Sequence, residues 1–203
     1  MKNVEWEDAT TERAGYDDGI LRVRDLAAKG FSRKHIMEMT RHGELLRVGR
    51  GLYSRPDAVV TENHTLAQVC ARVPHGVICL TSALQFHEIG TQNPWQVWTL
   101  IEKTARAPKL EYPPLQIVRA AHEAFAAGID EHQIEGVTVR VTCIAKTVAD
   151  CFKYRTRVGL DVVLEALKEC LVDKRADRAS IHKYARLCRV EQVMRPYMEA
   201  LAI

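Results

Sequence analysis

The sequence contains no long apolar run. Its apolar stretch at residues 77–80 is followed at once by Thr81 and Ser82, whereas a membrane-spanning helix needs about 20 apolar residues. The first eight residues, MKNVEWED, also contain no apolar segment of the kind found in a secretory signal. We therefore expect a cytoplasmic protein without a membrane-spanning segment.

Glycine and proline are scarce, at 11 and 7 of 203 residues. With 47% hydrophobic and 27% charged residues, this composition excludes collagen-like chains and is typical of a folded protein rather than a disordered one. A chain of this length forms one large domain or two small ones. We expect two modest domains.

Motifs for metal binding and catalysis are absent from the sequence. No two of the six cysteines form Cys-x-x-Cys, so we expect reduced core thiols rather than a zinc site. His87-Glu88 lacks the second histidine of a His-Glu-x-x-His site, and there is no P-loop or Gly-x-Ser-x-Gly motif. We therefore expect a protein that is not an enzyme and holds no cofactor or metal.

Two clusters allow more than one interpretation. Lys146, Asp150 and Tyr154 recur every four residues and share one helix face. A catalytic Asp150 is possible there, but a salt-bridged helix surface is the commoner meaning of this spacing. Trp95 and Trp98 can form a base-stacking platform, although aromatic residues in a strand more often belong to a core or an interface.

The charge is distributed unevenly along the chain. Residues 1–19 have a net charge of −4, residues 20–55 a net charge of +6, and the remaining residues are almost neutral. A compact basic segment of this kind indicates a polyanionic partner, although a solvated surface is the usual alternative.

The basic segment begins with a predicted short helix at residues 23–29. Val23, Leu26 and Ala27 recur with helical spacing, and Gly30 can end the helix in the left-handed conformation. The sequence therefore predicts the first helix of a helix-turn-helix.

A second helix is predicted from Ser32, a good N-cap, to about residue 42. At about 100° per residue, Ile36 and Met39 share one side of it. The opposite side carries Arg33, Lys34, Met37 and Arg41. Such a helix fits the major groove, where Arg and Lys reach guanine and a methionine touches the thymine methyl.

A β-hairpin is predicted next, with strands at residues 45–48 and 52–55 joined by Gly49-Arg50-Gly51. Helix, turn, helix and hairpin in this order predict a winged helix whose Arg50 reaches phosphates or a narrow minor groove. Double-stranded DNA is favoured over RNA, because a recognition helix fits the major groove of B-form DNA but not that of A-form RNA.

The rest of the chain predicts a larger mixed α/β (α+β) domain, which we place at residues 61–203 after a winged helix-turn-helix domain at 1–60. Periodicity predicts strands at 96–101, 115–119 and 137–143, and helices at 63–72, 82–88, 145–154, 160–171 and 180–201. The last helix is expected to bend at Pro196.

Four short blocks of the sequence together point to a known family. They read RVGRGLY at 47–53, LTSALQFH at 80–87, KTVADCF at 146–152 and RPY at 195–197. In this order they resemble the AbiEi-type antitoxins of bacterial type IV toxin–antitoxin systems, over nearly the whole chain.

The resemblance implies an N-terminal winged helix that binds inverted repeats in its own promoter, and a C-terminal domain needed to neutralise a nucleotidyltransferase-like toxin. It implies no stable complex with that toxin. The positions that match the DNA-binding part of the family are Arg33, Lys34, Arg41, Arg47 and Arg50.

We therefore expect a DNA-binding antitoxin and autorepressor that binds its operator as two copies. The expected DNA contacts are Ser32, Arg33, Lys34, Met37, Arg41, Arg47 and Arg50. One alternative is a transcriptional regulator without a toxin, whose C-terminal domain senses a ligand or dimerises. The least favoured alternative is a DNA-targeted nuclease or transferase that uses Asp150 or Glu88.

Overall fold

The computed structural model describes residues 19–201 of the chain, which form a small N-terminal sheet with two helices and a larger α/β unit. The N-terminal elements are β1 (Leu21–Arg22), α1 (Val23–Ala28), α2 (Arg33–His42), β2 (Leu46–Gly49) and β3 (Leu52–Ser54). The strands pair antiparallel in the order β1-β3-β2. This is a winged helix-turn-helix, as the sequence predicted.

Local sequence sets the ends of the N-terminal helices. The side chain of Ser32 accepts a hydrogen bond from the His35 amide at 3.1 Å and begins α2. Gly43 ends α2 with φ of 78°, and Gly30 follows α1 with φ of 91°, a conformation that glycine adopts without strain. The helices and hairpin share a small core of Leu26, Ile36 and Leu45, with Leu21, Val23, Phe31, Met39 and Tyr53 packed around it.

The larger unit contains a five-stranded mixed sheet and eight helices within the described residues. Its strands are β4 (Val77–Ile78), β5 (Val97–Glu102), β6 (Leu115–Ala120), β7 (Ile129–Ile134) and β8 (Val137–Thr142). Its helices are α3 (His64–Arg72), α4 (Leu80–Phe86), α5 (His122–Ala126), α6 (Ile144–Lys153), α7 (Arg155–Val158), α8 (Leu160–Val172), α9 (Arg178–Leu187) and α10 (Glu191–Ala200).

The strand order is β6-β5-β4-β8-β7, with β4–β8 and β5–β6 parallel and the other pairs antiparallel. Both faces of the sheet are covered, as expected where parallel strands occur. Helix α3 packs against one face in a cluster with Val137, Val139 and Val141. Helices α4, α6, α8, α9 and α10 cover the other face. The mixed α/β fold class predicted from the sequence is therefore confirmed.

The winged helix and the larger unit share part of their hydrophobic core. Ile20 and Leu52 lie in the same buried cluster as Leu66 and Val69 of α3. The connection between β3 and α3 contains residue 60, and the division of the chain at that residue stays a prediction.

Several features of the secondary structure differ from the prediction. The single helix predicted at 180–201 is divided into α9 and α10, because Arg189 between them has φ of 59° and cannot continue a right-handed helix. Strand β7 was missed because it carries Asp130, Glu131 and His132 and owes its conformation to pairing with β8. The short elements β1, α5 and α7 were also missed.

The interpretation of Lys146 and Asp150 as a helix surface was wrong in its location. The two side chains do pair one helical turn apart, but they are only 1% and 7% exposed. The pairing follows from their spacing on α6. Their burial follows from the packing of α9 against α6, where Cys188 contacts the Asp150 carboxylate.

The cysteines and the two tryptophans Trp95 and Trp98 differ in burial. Cys143 is half-buried and the other cysteines are buried. Burial raises the pKa of the Cys188 thiol to about 12. Trp95 is 79% exposed, whereas Trp98 is half-buried with the Arg157 guanidinium 5.0 Å from its ring centre.

Among residues 19–201, no helix is long and apolar enough to cross a bilayer.

Candidate nucleic-acid interface

Helix α2 has one packed side and one exposed basic side. Ile36 is only 2% exposed and belongs to the small N-terminal core, whereas Met37 is 64% exposed. The basic side chains predicted to face DNA are all exposed, and they are Arg33, Lys34 and Arg41. The helix can therefore approach a polyanion without unpacking its core.

Ser32 lies at the N-terminus of this helix and is exposed. Its hydroxyl oxygen accepts from the His35 amide, and a hydroxyl that accepts one hydrogen bond can still donate another. Helix N-termini attract phosphate, because the first backbone N–H groups point outward and the helix dipole is positive there. Ser32 is thus placed to serve both the helix and a phosphate.

Lys34 makes a weak ion pair with Glu38 of the same helix. Its Nζ lies 4.0 Å from the Glu38 carboxylate, and the lysine side chain is 87% exposed. Exposed pairs of this kind are worth about 1 kcal/mol or less. Lys34 can therefore exchange Glu38 for a phosphate or a guanine at little cost.

The hairpin between β2 and β3 is the wing, and Arg50 is exposed in its loop. Gly51 follows with φ of 74°, which the turn requires. The backbone carbonyl of Gly51 accepts a hydrogen bond from the Val23 amide at the start of α1, at 3.1 Å. This contact ties the wing loop to the helix-turn-helix.

Arg47 lies on β2 and is exposed, but its Nε donates to the Gly49 carbonyl at 3.4 Å. On β2, Arg47 pairs with Tyr53 and Gly49 pairs with Leu52. Tyr53 and Leu52 are adjacent on β3, so Val48 is the extra residue of a β-bulge on β2. Bulges of this kind change the direction of a strand. The bulge therefore sets where the wing loop, including Arg50, points.

Other basic residues of the segment are paired with acids. The Arg55 guanidinium donates two hydrogen bonds of 3.0 Å to the Asp57 carboxylate. Arg22 and Arg24 both lie within 4 Å of the Asp25 carboxylate, at 3.5 and 3.4 Å. The structure thus brings α2 and the wing onto one small core and leaves their cations exposed, while acids balance the cations at the margins of the segment.

A polar network behind the wing was not predicted from the sequence. It contains the Val48 carbonyl, Gln68 and His64 on α3, and the Glu135 carboxylate from the β7–β8 turn. Glu135 and Gly136 both have positive φ, as a two-residue hairpin turn requires. Glu135-Gly136 before the alternating valines of β8 was the signal that could have revealed this hairpin, although not its contact with the wing.

Burial acts to raise the pKa of the Glu135 carboxyl, but other contacts outweigh it. Hydrogen bonds from the Thr61 amide, from His64 and from the Thr61 hydroxyl favour the charged form and hold the pKa below its ordinary value. The carboxylate is therefore ionised at neutral pH and can act as an acceptor for all three donors.

A comparison with protein-family models finds a match for the N-terminal segment that contains the helix-turn-helix and the wing. Residues 12–56 match a family model described as "Transcriptional regulator, AbiEi antitoxin". This confirms the resemblance predicted from the sequence over that segment, of which residues 12–18 lie outside the described part of the structure. The matched segment contains all of α1, α2 and the wing.

The fold as a whole is similar to a solved structure described as the crystal structure of the RV2827C protein from Mycobacterium tuberculosis. The TM-score is 0.55 at 14% sequence identity, covering 90% of this chain and 75% of the other. At this identity the similarity concerns the fold alone. A comparison with curated proteins finds no match.

Proposed function

We propose that this chain is the DNA-binding antitoxin and autorepressor of a type IV toxin–antitoxin system. It binds inverted repeats in its own promoter in the cytoplasm, acts without catalysis, and counteracts a nucleotidyltransferase-like toxin without a stable complex. The observation that carries the proposal is the exposed basic side of α2 beside an arginine-tipped wing, within the segment that matches the AbiEi regulators.

The proposed contacts divide into two classes. Arg33, Lys34, Met37 and Arg41 read base edges in the major groove from α2, because arginine and lysine bind guanine and methionine contacts the thymine methyl. Ser32, Arg47 and Arg50 contact the sugar-phosphate backbone or the minor groove and fix the register of the protein. Two copies on an inverted repeat place their α2 helices one or more DNA turns apart, about 34 Å for one turn.

A promoter-binding experiment tests the DNA-binding part of this proposal. We expect the full-length chain to bind a fragment of its own promoter more tightly than a scrambled fragment. The triple variant Arg33→Ala, Lys34→Ala, Arg41→Ala should lose that preference.

The matched control is a triple variant of exposed lysines far along the chain, Lys103→Ala, Lys109→Ala and Lys168→Ala, which loses the same formal charge. The control should keep its preference for the promoter. Equal loss in both triple variants would show that net charge rather than α2 carries binding, and would contradict the proposal.

Salt dependence tests the wing separately. Arg50→Ala should weaken binding and flatten the plot of log affinity against log salt by ~0.9 for each phosphate that the variant no longer neutralises. An unchanged slope would show that Arg50 does not touch the DNA backbone.

Co-expression with the adjacent gene tests the antitoxin role. If that gene encodes the toxin, its expression should stop growth and the full-length chain should restore it. The α2 triple variant, expressed from an independent promoter, should restore growth too, because neutralisation is assigned to the C-terminal domain rather than to DNA binding. A harmless neighbouring gene would favour a regulator without a toxin.

A groove on the larger unit favours the second candidate, a ligand-sensing regulator. The groove has a volume of about 660 Å³, within the range of small-molecule sites. Its charged residues are the cations Lys153, Arg155 and Arg189 and the single acid Glu123, and its apolar residues include Ala124, Leu187, Val190 and Val193. If this candidate is right, a small organic anion should raise the thermal stability of the wild-type protein but not that of Arg189→Ala, and should change promoter affinity.

The nuclease or transferase candidate has little support. Asp150 is nearly enclosed, and its carboxylate is occupied by Lys146 and Cys188. Within residues 19–201, no three His, Cys, Asp or Glu side chains are grouped so as to hold a metal ion. Metal-dependent DNA cleavage that is lost in Asp150→Ala would revive this candidate.

A further inference from the structure

The wing is held from behind by a chain of hydrogen bonds that leads into the larger unit. The first link is at the bulge, where the Val48 carbonyl accepts a hydrogen bond from Gln68 Nε2 at 3.1 Å. Gln68 is only 7% exposed. Because a partly buried carbonyl that loses its donor costs free energy, this contact favours one orientation of the bulge.

The second link lies one turn earlier on α3. His64 Nε2 is 2.9 Å from the same Gln68 nitrogen, and His64 Nδ1 contacts the Glu135 carboxylate. With its proton on Nδ1, His64 donates to Glu135 and accepts from Gln68. The two N–H groups of Gln68 then serve His64 and Val48 together, so one arrangement of protons satisfies every group in the chain.

Glu135 also holds the two ends of the N-terminal unit. Its carboxylate accepts from the amide and the hydroxyl of Thr61, both at 2.8 Å, in the segment that leaves the wing. Its backbone carbonyl accepts from the Ile20 amide at 2.8 Å, just before β1. One residue of the β7–β8 turn therefore contacts the start of the winged helix, its end and, through two side chains, its wing.

We propose that Glu135 is a positioning residue which, through His64 and Gln68, sets the direction of the wing and so aims Arg50 at the DNA backbone. This proposal rests on the DNA-binding function proposed above. It makes operator affinity depend on a residue of the larger unit that lies outside the basic segment. The His64–Gln68 pair transmits the effect because neither side chain can change its hydrogen-bonding role without the other.

Gln68→Leu is the direct test, because leucine fills a similar volume and donates nothing to Val48. Without DNA, hydrogen–deuterium exchange should become faster in the wing, residues 46–54, and stay unchanged in β8. With promoter DNA, Gln68→Leu should weaken binding and flatten the salt slope to the same extent as Arg50→Ala. Added to Arg50→Ala, it should have no further effect.

Glu135→Gln tests the same series of hydrogen bonds by replacing one acceptor oxygen with an NH2 donor. The amide nitrogen of the new glutamine replaces one carboxylate oxygen and must face either the Thr61 donors or His64. It should face His64, because histidine can accept at Nδ1 once its proton has moved to Nε2. The proton on His64 Nε2 then points at the Gln68 N–H group. The Gln68 amide must turn away, and its hydrogen bond to the Val48 carbonyl is lost. The wing should again exchange faster and bind DNA more weakly.

Gln133→Ala is the matched control, because Gln133 lies on the same hairpin but donates to Thr138 at 2.9 Å rather than to the winged helix. It should behave as wild type. Unchanged wing exchange in Gln68→Leu and Glu135→Gln would overturn the proposal, as would additive losses of affinity in the double variant with Arg50→Ala. If the wild-type chain binds no promoter DNA, the proposed function fails, while the exchange measurement still decides whether Glu135 positions the wing.

Discussion

Lys146 and Asp150 form an ion pair that is almost completely enclosed. Lys146 Nζ lies 2.5 Å from one carboxylate oxygen of Asp150, and the Sγ of Cys188 donates to the other oxygen at 3.1 Å. Cys188 caps the C-terminal end of α9. The hydrogen bond from Cys188 to Asp150 therefore joins α9 to the ion pair on α6 inside the core of the larger unit.

Removal of Asp150 should be strongly destabilising. Asp150→Ala leaves the Lys146 ammonium buried without its counter-ion, and the free energy of unfolding in urea should fall by about 3–5 kcal/mol. The exposed Asp173→Ala should change it by only about 0.5 kcal/mol. Lys146→Met with Asp150→Leu should recover most of the loss, because an apolar pair of similar size needs no desolvation of charge. A small loss in Asp150→Ala alone would contradict the buried pair.

Neighbouring positions on α2 should respond in opposite ways. Ile36→Ala empties a buried site and should lower the free energy of unfolding by about 2–5 kcal/mol. Met37→Ala removes an exposed side chain and should change stability by about 0.5 kcal/mol or less, yet weaken promoter binding. Chemical denaturation and a DNA titration of both variants measure the two effects. The reverse order of stability would mean that α2 presents its other side to the core.

Two glycines near the start of the winged helix should differ in their tolerance of alanine. A Cβ at Gly19 would lie 2.0 Å from the Glu135 carbonyl oxygen, so Gly19→Ala must push β1 away from the β7–β8 turn. A Cβ at Gly30 meets nothing within 4 Å, although φ is +91° there. We expect losses of about 3 kcal/mol for Gly19→Ala and about 1 kcal/mol for Gly30→Ala. Thermal unfolding of the two variants checks the order, and equal losses would contradict the close approach at Gly19.

Stability should depend on the ionisation of Glu135. Its pKa is held below the ordinary value in the folded chain by Thr61 and His64, which outweigh burial. The stabilisation is therefore complete above the pKa of the unfolded chain and is lost as the pH falls through the lower folded pKa. The difference in unfolding free energy between wild type and Glu135→Gln should be large at neutral pH and shrink in acid. A difference independent of pH would show that the charge of Glu135 is unimportant.

The elements of the winged helix could be predicted because their signals are local. Ser32 caps α2 through a hydrogen bond three residues away, and Gly30 and Gly43 end helices through their own backbone conformation. The basic side of α2 follows from helical spacing alone. These effects depend on residues within one turn of each other, so no long-range contact is needed to anticipate them.

Features that depend on distant contacts were beyond prediction. The burial of Asp150 depends on α9, which lies about one fifth of the chain further on. Strand β7 is polar and becomes a strand only through its hydrogen bonds to β8. Polar residues such as Gln68 and Glu135 have no distinctive pattern, because what matters is the partner that the fold brings to them.

The amino-acid order alone therefore determined the basic helix, its caps, the wing and the hydrophobic alternation of β8, since each arises from interactions between near neighbours in the chain. Tertiary packing decided which polar groups lie inside and which segment supports the wing. A hydrogen bond from Gln68 to Val48 has a direction and a length that only the assembled sheet and helices can supply. That is why the exposed basic residues of α2 and the wing could be named in advance, whereas the residues that hold them in place could not.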